Sequence, residues 1–420
     1  MGKLKIVYPI CCGLDVHRDF LIACIASTNA QGVTEYQSRR FSTYTGSLRA
    51  LRDWLFTSGC KDVCMESTGK YWFPVHNILE GSCHVVVSHP KFIKAIKGKK
   101  TDKKDAQWIA DLFKHDLVRG SFIPPKDIRQ LRDLCRYWVK LSSYMTGEKN
   151  RAQNCLTVSN FKLDDVFSNV FGKSASAITT QLLEHPGEPF DVAPFVHGCC
   201  KTPIAKIQEA VDGIFPHEQA EKLKIIRSHM ESLEKHKAEL ESLILETAQN
   251  YLPQIKLLLT VPGIRDTFTA IRILAEIGAD MTVFDTSKHL CSWAGLTPQN
   301  AESAGKKKTT RIGKSGSYLK PLLIQVALAA SRSARHPEIY GKKQALQKRR
   351  GKKKAIIAIA RRLLTAIYHI LRKAEPYDPS VCRKDDKPTM VRQISQEKAF
   401  EMLARMGYVV STSSSPPLPS

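Results

Sequence analysis

Short apolar runs broken by Gly, Pro, Asn and Asp divide the first hundred residues into alternating strands and helices. Tyr8-Pro9-Ile10-Cys11-Cys12-Gly13-Leu14 is one apolar run, ended by Asp15, and residues 20–26 are a second. After Asn29-Ala30-Gln31-Gly32 comes the alternating stretch Val33-Thr34-Glu35-Tyr36. Such runs joined by tight turns predict three antiparallel strands. Ser47 then stands as the cap of a helix carrying Leu48, Leu51, Trp54 and Leu55. Asp62-Val63-Cys64-Met65-Glu66 predicts a fourth strand, residues 71–79 a helix, and His84-Val85-Val86-Val87 a fifth strand. The apolar periodicity of Ile109, Leu112 and Phe113 predicts a further helix. This order is that of an α/β domain built on a mixed sheet.

Past Pro124-Pro125 the spacing changes to that of long helices. Residues 128–158 carry Leu131, Leu134, Trp138 and Leu141 on one face and bases on the other. Residues 160–215 hold Pro and Gly without sustained periodicity and predict an irregular stretch. From His217, the positions Leu223, Ile226, Met230, Leu233, Lys237, Leu240 and Ile244 follow steps of three and four. That is a coiled-coil seam with Lys237 as a polar interruption. A second copy of the chain or a hairpin with residues 126–158 would satisfy it equally.

An apolar helix, the turn Thr260-Val261-Pro262-Gly263-Ile264 and a helix over 269–277 follow. This pattern fits a helix–hairpin–helix, whose amides hold a phosphate at a helix N-terminus, or a merely structural hairpin. Residues 295–317, with Gly295, Pro298, Gly305, Gly313 and Gly316, predict a long loop. Residues 340–354 are dense in Lys and Arg and lead into an apolar helix over 355–371. The Ser/Pro-rich residues 411–420 predict disorder. The expected organisation is an α/β domain over 1–123, a helical connector with a coiled coil over 124–250, a mainly α domain over 251–375, and a C-terminal extension over 376–420.

Composition narrows the partners. A chain of 420 residues can build two or three cores, and a net charge of +24 favours a polyanion, bound with steep salt dependence. The twelve cysteines are scattered, and the adjacent pairs Cys11-Cys12 and Cys199-Cys200 cannot act as spaced zinc hooks. Cys60 and Cys64 flank and enter a predicted strand, which predicts core packing. The absence of a signal peptide and of an 18-residue apolar run predicts reduced thiols, a cytoplasmic location and no membrane partner.

Candidate chemistry begins with Lys100-Thr101-Asp102-Lys103-Lys104-Asp105-Ala106. Two acids three residues apart at a helix start share one face, about 5–6 Å apart at Cβ. Their repulsion is relieved by a shared divalent cation, although acids in a first turn also suit the helix dipole. Asp15 and Glu66 fall at strand carboxyl ends, where ligands of α/β sheets collect. Four carboxylates without a local His or Cys cluster suit Mg²⁺ or Mn²⁺. Two such ions about 3.5–4 Å apart stabilise the attacking and leaving oxygens of a phosphodiester displacement. The long loop holds Ser303, Ser315 and Ser317 beside Lys306, Lys307, Lys308 and Arg311. A serine hydroxyl becomes a phosphoryl nucleophile when its proton is removed and cations offset the developing charge. The residues alone do not choose among the three serines. Farther on, Lys342, Lys343, Arg349, Arg350, Lys352 and Lys353 form a candidate surface for tracking a nucleic-acid backbone.

Gly13-Leu14-Asp15-Val16-His17, Glu66-Ser67-Thr68-Gly69-Lys70-Tyr71 and Thr101-Asp102-Lys103-Lys104-Asp105-Ala106 resemble the three blocks of the DEDD transposases of bacterial insertion sequences. That family is related to the Piv DNA invertases and carries a RuvC-like (ribonuclease H fold) domain. In the C-terminal half, Thr260 to Ile264, Trp293-Ala294-Gly295-Leu296-Thr297-Pro298, Glu302-Ser303 and Lys314-Ser315-Gly316 resemble its second domain. Arg265 stands where the family pattern has a further glycine, and Ala304 separates Ser303 from Gly305 where many members have Ser-Gly directly.

The resemblance implies a DNA transposase or site-specific recombinase in which Asp15, Glu66, Asp102 and Asp105 hold Mg²⁺ or Mn²⁺. It selects Ser303 as a nucleophile that forms a transient phosphoserine, in a composite site between protomers. It further implies target and donor DNA, a structured element-encoded guide RNA, and a homo-oligomer (dimer or tetramer) as partners. Two other readings compete: a metal-dependent, junction-resolving nuclease without covalent attachment, and a non-catalytic nucleic-acid-binding derivative of a transposase.

Overall fold

In a computed structural model, residues 4–67, 69–93, 101–298, 301–303, 306–309, 311–313, 316–333 and 335–380 are described, with backbone alone for 301–303 and 306–309. The chain divides into two compact units, Met1–Leu252 with Thr267–Asp285, and Pro253–Asp266 with Thr286–Ser420.

The first unit is organised by the period-two alternation of its strands. β1 (Ile10–Val16), β2 (Phe20–Thr28), β3 (Thr34–Ser42), β4 (Asp62–Glu66) and β5 (His84–Ser88) form one sheet in the order β3-β2-β1-β4-β5. β1, β2 and β3 pair antiparallel, while β1–β4 and β4–β5 pair parallel, the mixed sheet expected from the residue pattern. Cys12, Leu14, Val16, Val63 and Met65 point to one face. There they pack with Leu48, Leu51, Trp54 and Leu55 of α1 (Thr45–Thr57) and Trp72, Val75 and Leu79 of α2 (Trp72–Leu79). Cys11 and Cys64 point to the other face, where α3 (Pro90–Ile93) supplies Ile93 and α4 (Asp102–Lys114) supplies Ile109, Ala110 and Phe113. The two neighbouring cysteines of β1 thus face opposite layers, and Cys60 and Cys64 are buried core residues.

Ser47 is not the cap of α1. The helix begins at Thr45 after Tyr44, and the Ser47 hydroxyl accepts the amide of Ser42 at 3.0 Å, tying the end of β3 to the first turn. β3 also runs to Ser42, well past the predicted Tyr36, because ladder hydrogen bonds to β2 carry a polar stretch that has no apolar alternation.

α5 (Lys126–Val158) starts after the predicted Pro124-Pro125 break. Residues expected to be irregular instead contain α6 (Leu163–Val166), α7 (Lys173–Glu184) and α8 (Ile204–Ala210). Phe161, Leu163, Ile178, Leu182, Val192, Ile207 and Phe215 give this stretch its own core. α6 and α8 offer too few turns for a 3.6-residue period to register, whereas α7 buries Ala175, Ile178, Leu182 and Leu183 at a helical spacing that the expectation of an irregular stretch missed. α9 (His217–Thr247) then packs antiparallel along α5: Trp138 Nε1 donates to Glu241 (2.7 Å), and farther along Glu148 faces His229 (3.1 Å). The seam residues Leu223, Ile226, Leu233, Leu240 and Ile244 are buried. Lys237 lies 4.5 Å from the centre of the Trp138 ring, a cation–π contact that accounts for a lysine in an apolar seam. A hairpin within one chain therefore occupies the seam.

α10 (Leu252–Leu259) and the turn after it lead into α11 (Thr267–Ile277), which belongs to the first unit. Arg132 of α5 donates to the Ala275 and Glu276 carbonyls at 2.8 Å each, capping the end of α11, and Arg136 grips the Glu276 carboxylate. Burial pulls the Arg132 pKa down to about 10.

The second unit is mainly helical: α12 (Ser287–Trp293), α13 (Leu319–Ala330), α14 (Pro337–Arg350) and α15 (Lys352–Lys373), with a hairpin of β6 (Ala301–Ser303) and β7 (Lys306–Thr309). The stretch predicted as loop thus contains antiparallel strands. A strand reading Lys-Lys-Lys-Thr has no apolar face, so its ladder hydrogen bonds leave no trace in the hydropathy pattern. No described helix is long and apolar enough to cross a membrane. Residues 411–420 lie outside the described residues.

Candidate functional site

Alternation along β1 puts Asp15 on the same face as Cys11 and Gly13, the face covered by α4. Gly13 lets that helix lie close. A Cβ there would stand 2.2 Å from the Ala106 carbonyl oxygen and 2.5 Å from the Ala110 nitrogen. With α4 seated on β1, its first turn comes to the end of the strand. Thr101 caps that turn, its hydroxyl accepting the Lys104 amide at 3.4 Å while its carbonyl accepts the Asp105 amide at 2.9 Å.

Asp15, His17 and Asp102 each bring a donor atom within 4.8 Å of the others. The side chain of Asp15 is only 17% exposed, against 51% for Asp102. Burial raises the Asp15 pKa; His17 opposes this, and the charges of Asp105 and Asp102 add to it. An acid desolvated and facing two like charges is poised to accept a cation. Carboxylate oxygens around a half-buried acid fit a hard divalent ion.

Glu66 closes β4. In the parallel ladder the last paired positions are Leu14 and Met65, so Asp15 and Glu66 each follow by one residue and share the α4 side of the sheet. Glu66 and Asp105 have no donor atom in the close group, although Asp105 acts on Asp15 through its charge. The unexpected member is His17. Two residues after Asp15, it shares that acid's face by strand alternation, a signal the sequence held, while its approach to Asp102 is set by the fold.

In the second unit, Ser303 ends β6 opposite Lys306 of β7, and Glu302 pairs with Lys307. The side chains of Ser303, Lys306, Lys307 and Lys308 lie outside the described residues, as does Ser315. The base of the hairpin is braced. Pro298 bridges Ile312, Lys320 Nζ donates to the Gly313 carbonyl, and a Cβ on Gly316 would stand 2.4 Å from the Ala294 carbonyl oxygen. Arg311 is exposed beside the bridge.

The basic tract spans two helices broken at Gly351 (φ 84°). Lys348, Arg349 and Arg350 end α14, where the helix dipole favours cations. Lys352, Lys353 and Lys354 open α15, where the dipole disfavours them. All six are exposed, as is Lys342, while Lys343 is half-buried. Cations crowded at a helix N-terminus gain from an added polyanion, which local helix stability alone would not select.

Known proteins match two stretches of the chain. Residues 12–160 match a DEDD-type family model described as "Transposase", and residues 255–342 match one described as "Transposase IS116/IS110/IS902 family", together more than half of the chain. The pilin gene-inverting proteins of Moraxella bovis and Moraxella lacunata are each 38% identical over 128 residues, covering 30% of this chain and 39% of each relative. The transposase for insertion sequence element IS1111A of Coxiella burnetii is 32% identical over 123 residues, covering 28% of this chain and 33% of the relative. The chain thus spans between one third and two fifths of the length of these curated relatives.

Proposed function

The chain belongs to the DEDD transposase family of insertion sequences, and from that premise we propose that it is a DNA transposase or site-specific recombinase that cuts and rejoins strands through a phosphoserine. One observation carries most weight: a half-buried Asp15 drawn up against Asp102 and Asp105 by the packing of α4 on β1. A bound cation would offset the like-charge repulsion among these acids.

In this reading Asp15, Glu66, Asp102 and Asp105 hold Mg²⁺ or Mn²⁺. When bound, the cation polarises a phosphate oxygen and offsets developing negative charge. Ser303 supplies the nucleophile: its Oγ forms a bond to phosphorus as its proton passes to solvent, and the bond from phosphorus to the sugar oxygen breaks, that oxygen taking a proton from solvent to leave as a hydroxyl. The phosphoester keeps the energy of the broken bond for rejoining. Lys306, Lys307, Lys308 and Arg311 flank that serine in sequence and offset the charge of the phosphate under attack. Lys342, Lys343, Arg349, Arg350, Lys352 and Lys353 grip backbone phosphates. The basic chain has no evident base-reading motif. That suits selection of target and donor DNA by pairing with an element-encoded RNA, with the working enzyme an assembly of several copies.

The decisive measurement is denaturing gel analysis of protein incubated with labelled substrate DNA, followed by peptide mapping. A covalent adduct at Ser303 is expected, lost in Ser303→Ala and retained in Ser315→Ala and Ser317→Ala. Cleavage without an adduct would indicate hydrolysis by a junction-resolving nuclease. An adduct elsewhere, or full strand exchange by Ser303→Ala, would overturn the mechanism.

A further inference from the structure

His17 is held in place more firmly than an ordinary turn histidine. Its amide donates to the Phe20 carbonyl at 2.9 Å, closing the turn between β1 and β2. Its ring lies 4.7 Å from the Phe20 ring, and the Arg40 guanidinium sits 4.0 Å from the centre of that same phenyl. The imidazole is thereby braced with Nε2 toward the carboxylates, 3.2 Å from Asp15 Oδ2 and 3.8 Å from Asp102 Oδ1. A single hydrogen bond to Asp15 accounts for the first distance. The second, to an acid carried by a different element, would need a protonated, ion-paired ring.

Ligation accounts for both. Adjacent ligands of a six-coordinate cation with bonds of about 2.1 Å stand about 3 Å apart. The nitrogen lies 3.2 and 3.8 Å from the two carboxylate oxygens, near that spacing, and all three atoms lie within 4.8 Å of one another. We infer that His17 Nε2 is a direct metal ligand beside Asp15 and Asp102, so that this centre is not built of oxygen alone. The inference rests on the carboxylate centre proposed above and adds a specificity to it. With Nδ1 carrying the ring proton, the Nε2 lone pair is available for coordination. An imidazole nitrogen is a softer donor than a carboxylate oxygen. Replacing one oxygen by this nitrogen raises affinity for Mn²⁺ and Co²⁺ more than for Mg²⁺, which holds to oxygen and water.

Pulsed EPR of the full-length protein with Mn²⁺ tests this without reference to catalysis. Bound Mn²⁺ in the wild type is expected to show ¹⁴N modulation, replaced by the ¹⁵N pattern when histidine is ¹⁵N-labelled. His17→Ala is expected to remove the modulation and weaken Mn²⁺ binding about tenfold, with Mg²⁺ affinity, read by competition, changed much less. Absence of nitrogen modulation in the wild type overturns the inference even if the variant folds poorly. Mn²⁺ bound without nitrogen modulation, with affinity unchanged in His17→Ala, would overturn the assignment of His17 and leave the carboxylate centre standing. Wild-type protein that binds Mn²⁺ no better than Asp15→Asn would overturn both.

Discussion

Two glycines, one in each compact unit, do the same steric task under different backbone constraints. Gly13 lies in an ordinary strand, and its missing Cβ admits Ala106 and Ala110 of α4. Gly263 lies in the Pro-Gly turn at φ 89°, and its missing Cβ admits Val326 and Ala330 of α13, with a Cβ position 2.2 Å from the Val326 carbonyl oxygen. In both, the closest contacts are to helix backbone atoms, of Ala106 and Ala110 in one case and of Val326 and Ala330 in the other. Gly13 is required by contact alone, whereas Gly263 is required by contact and by a left-handed conformation. The consequence also differs. Seating α4 carries two carboxylates to the end of β1, while seating α13 steadies a turn in the second unit. One glycine therefore places chemistry, and the other holds a scaffold.

Gly263→Ala is expected to have the largest effect on stability, about 4 kcal/mol, from overpacking plus a disfavoured backbone. It should leave Mn²⁺ binding near the wild-type value. Gly13→Ala should cost about 3 kcal/mol from overpacking alone, yet lose Mn²⁺ binding and strand exchange. Urea unfolding and Mn²⁺ titration on the two variants check the contrast. Equal metal binding in both would break it, because α4 would then not depend on Gly13 for its position.

Smaller effects sharpen the same division between placed chemistry and scaffold. Lys353→Ala on α15 should lower the slope of log affinity against log salt by about 1 for DNA or RNA, without changing sequence preference. Filter binding from low to moderate salt measures this, and an unchanged slope would remove Lys353 from the phosphate-binding surface. Asp15→Asn should stabilise the metal-free protein at neutral pH by less than about 1 kcal/mol. The sign follows from the raised pKa of Asp15 in the fold. Between the unfolded value and the higher folded one, the native state binds more protons, so stability falls as pH rises through that window. The gain from Asn should accordingly vanish toward pH 3–4, which urea titrations across pH would show. A stabilisation independent of pH would point to packing instead.

Much of the first unit was legible from its residues. β4 falls on the predicted Asp62–Glu66, and α2, β5 and α5 begin or end within a residue or two of expectation, because apolar runs bounded by Pro and Gly punctuate them. Asp15 and Glu66 were readable as strand-end acids for the same reason. The extension of β3 past Tyr36, β7 and the helices between residues 160 and 215 were not. The polar stretches of β3 and β7 are held by ladder hydrogen bonds, α6 and α8 are too short to show a period, and α7 carries one at Ala175, Ile178, Leu182 and Leu183 that the expectation of an irregular stretch missed.

By itself, then, the sequence determined the alternating strand–helix order, the long helices with their apolar faces, the excess of positive charge and the identity of the acids. These are local or compositional properties, set by side-chain periodicity of two or about three and a half residues. The tertiary structure alone decided that α9 covers its seam with α5, that Arg132 and Arg136 fasten α11 into the first unit, and that His17 joins Asp15 and Asp102. Each of these depends on which distant residues meet: Asp15 and Asp102 are brought together because a strand without a Cβ at Gly13 lets a helix approach. Sequence spacing carries no record of that approach distance.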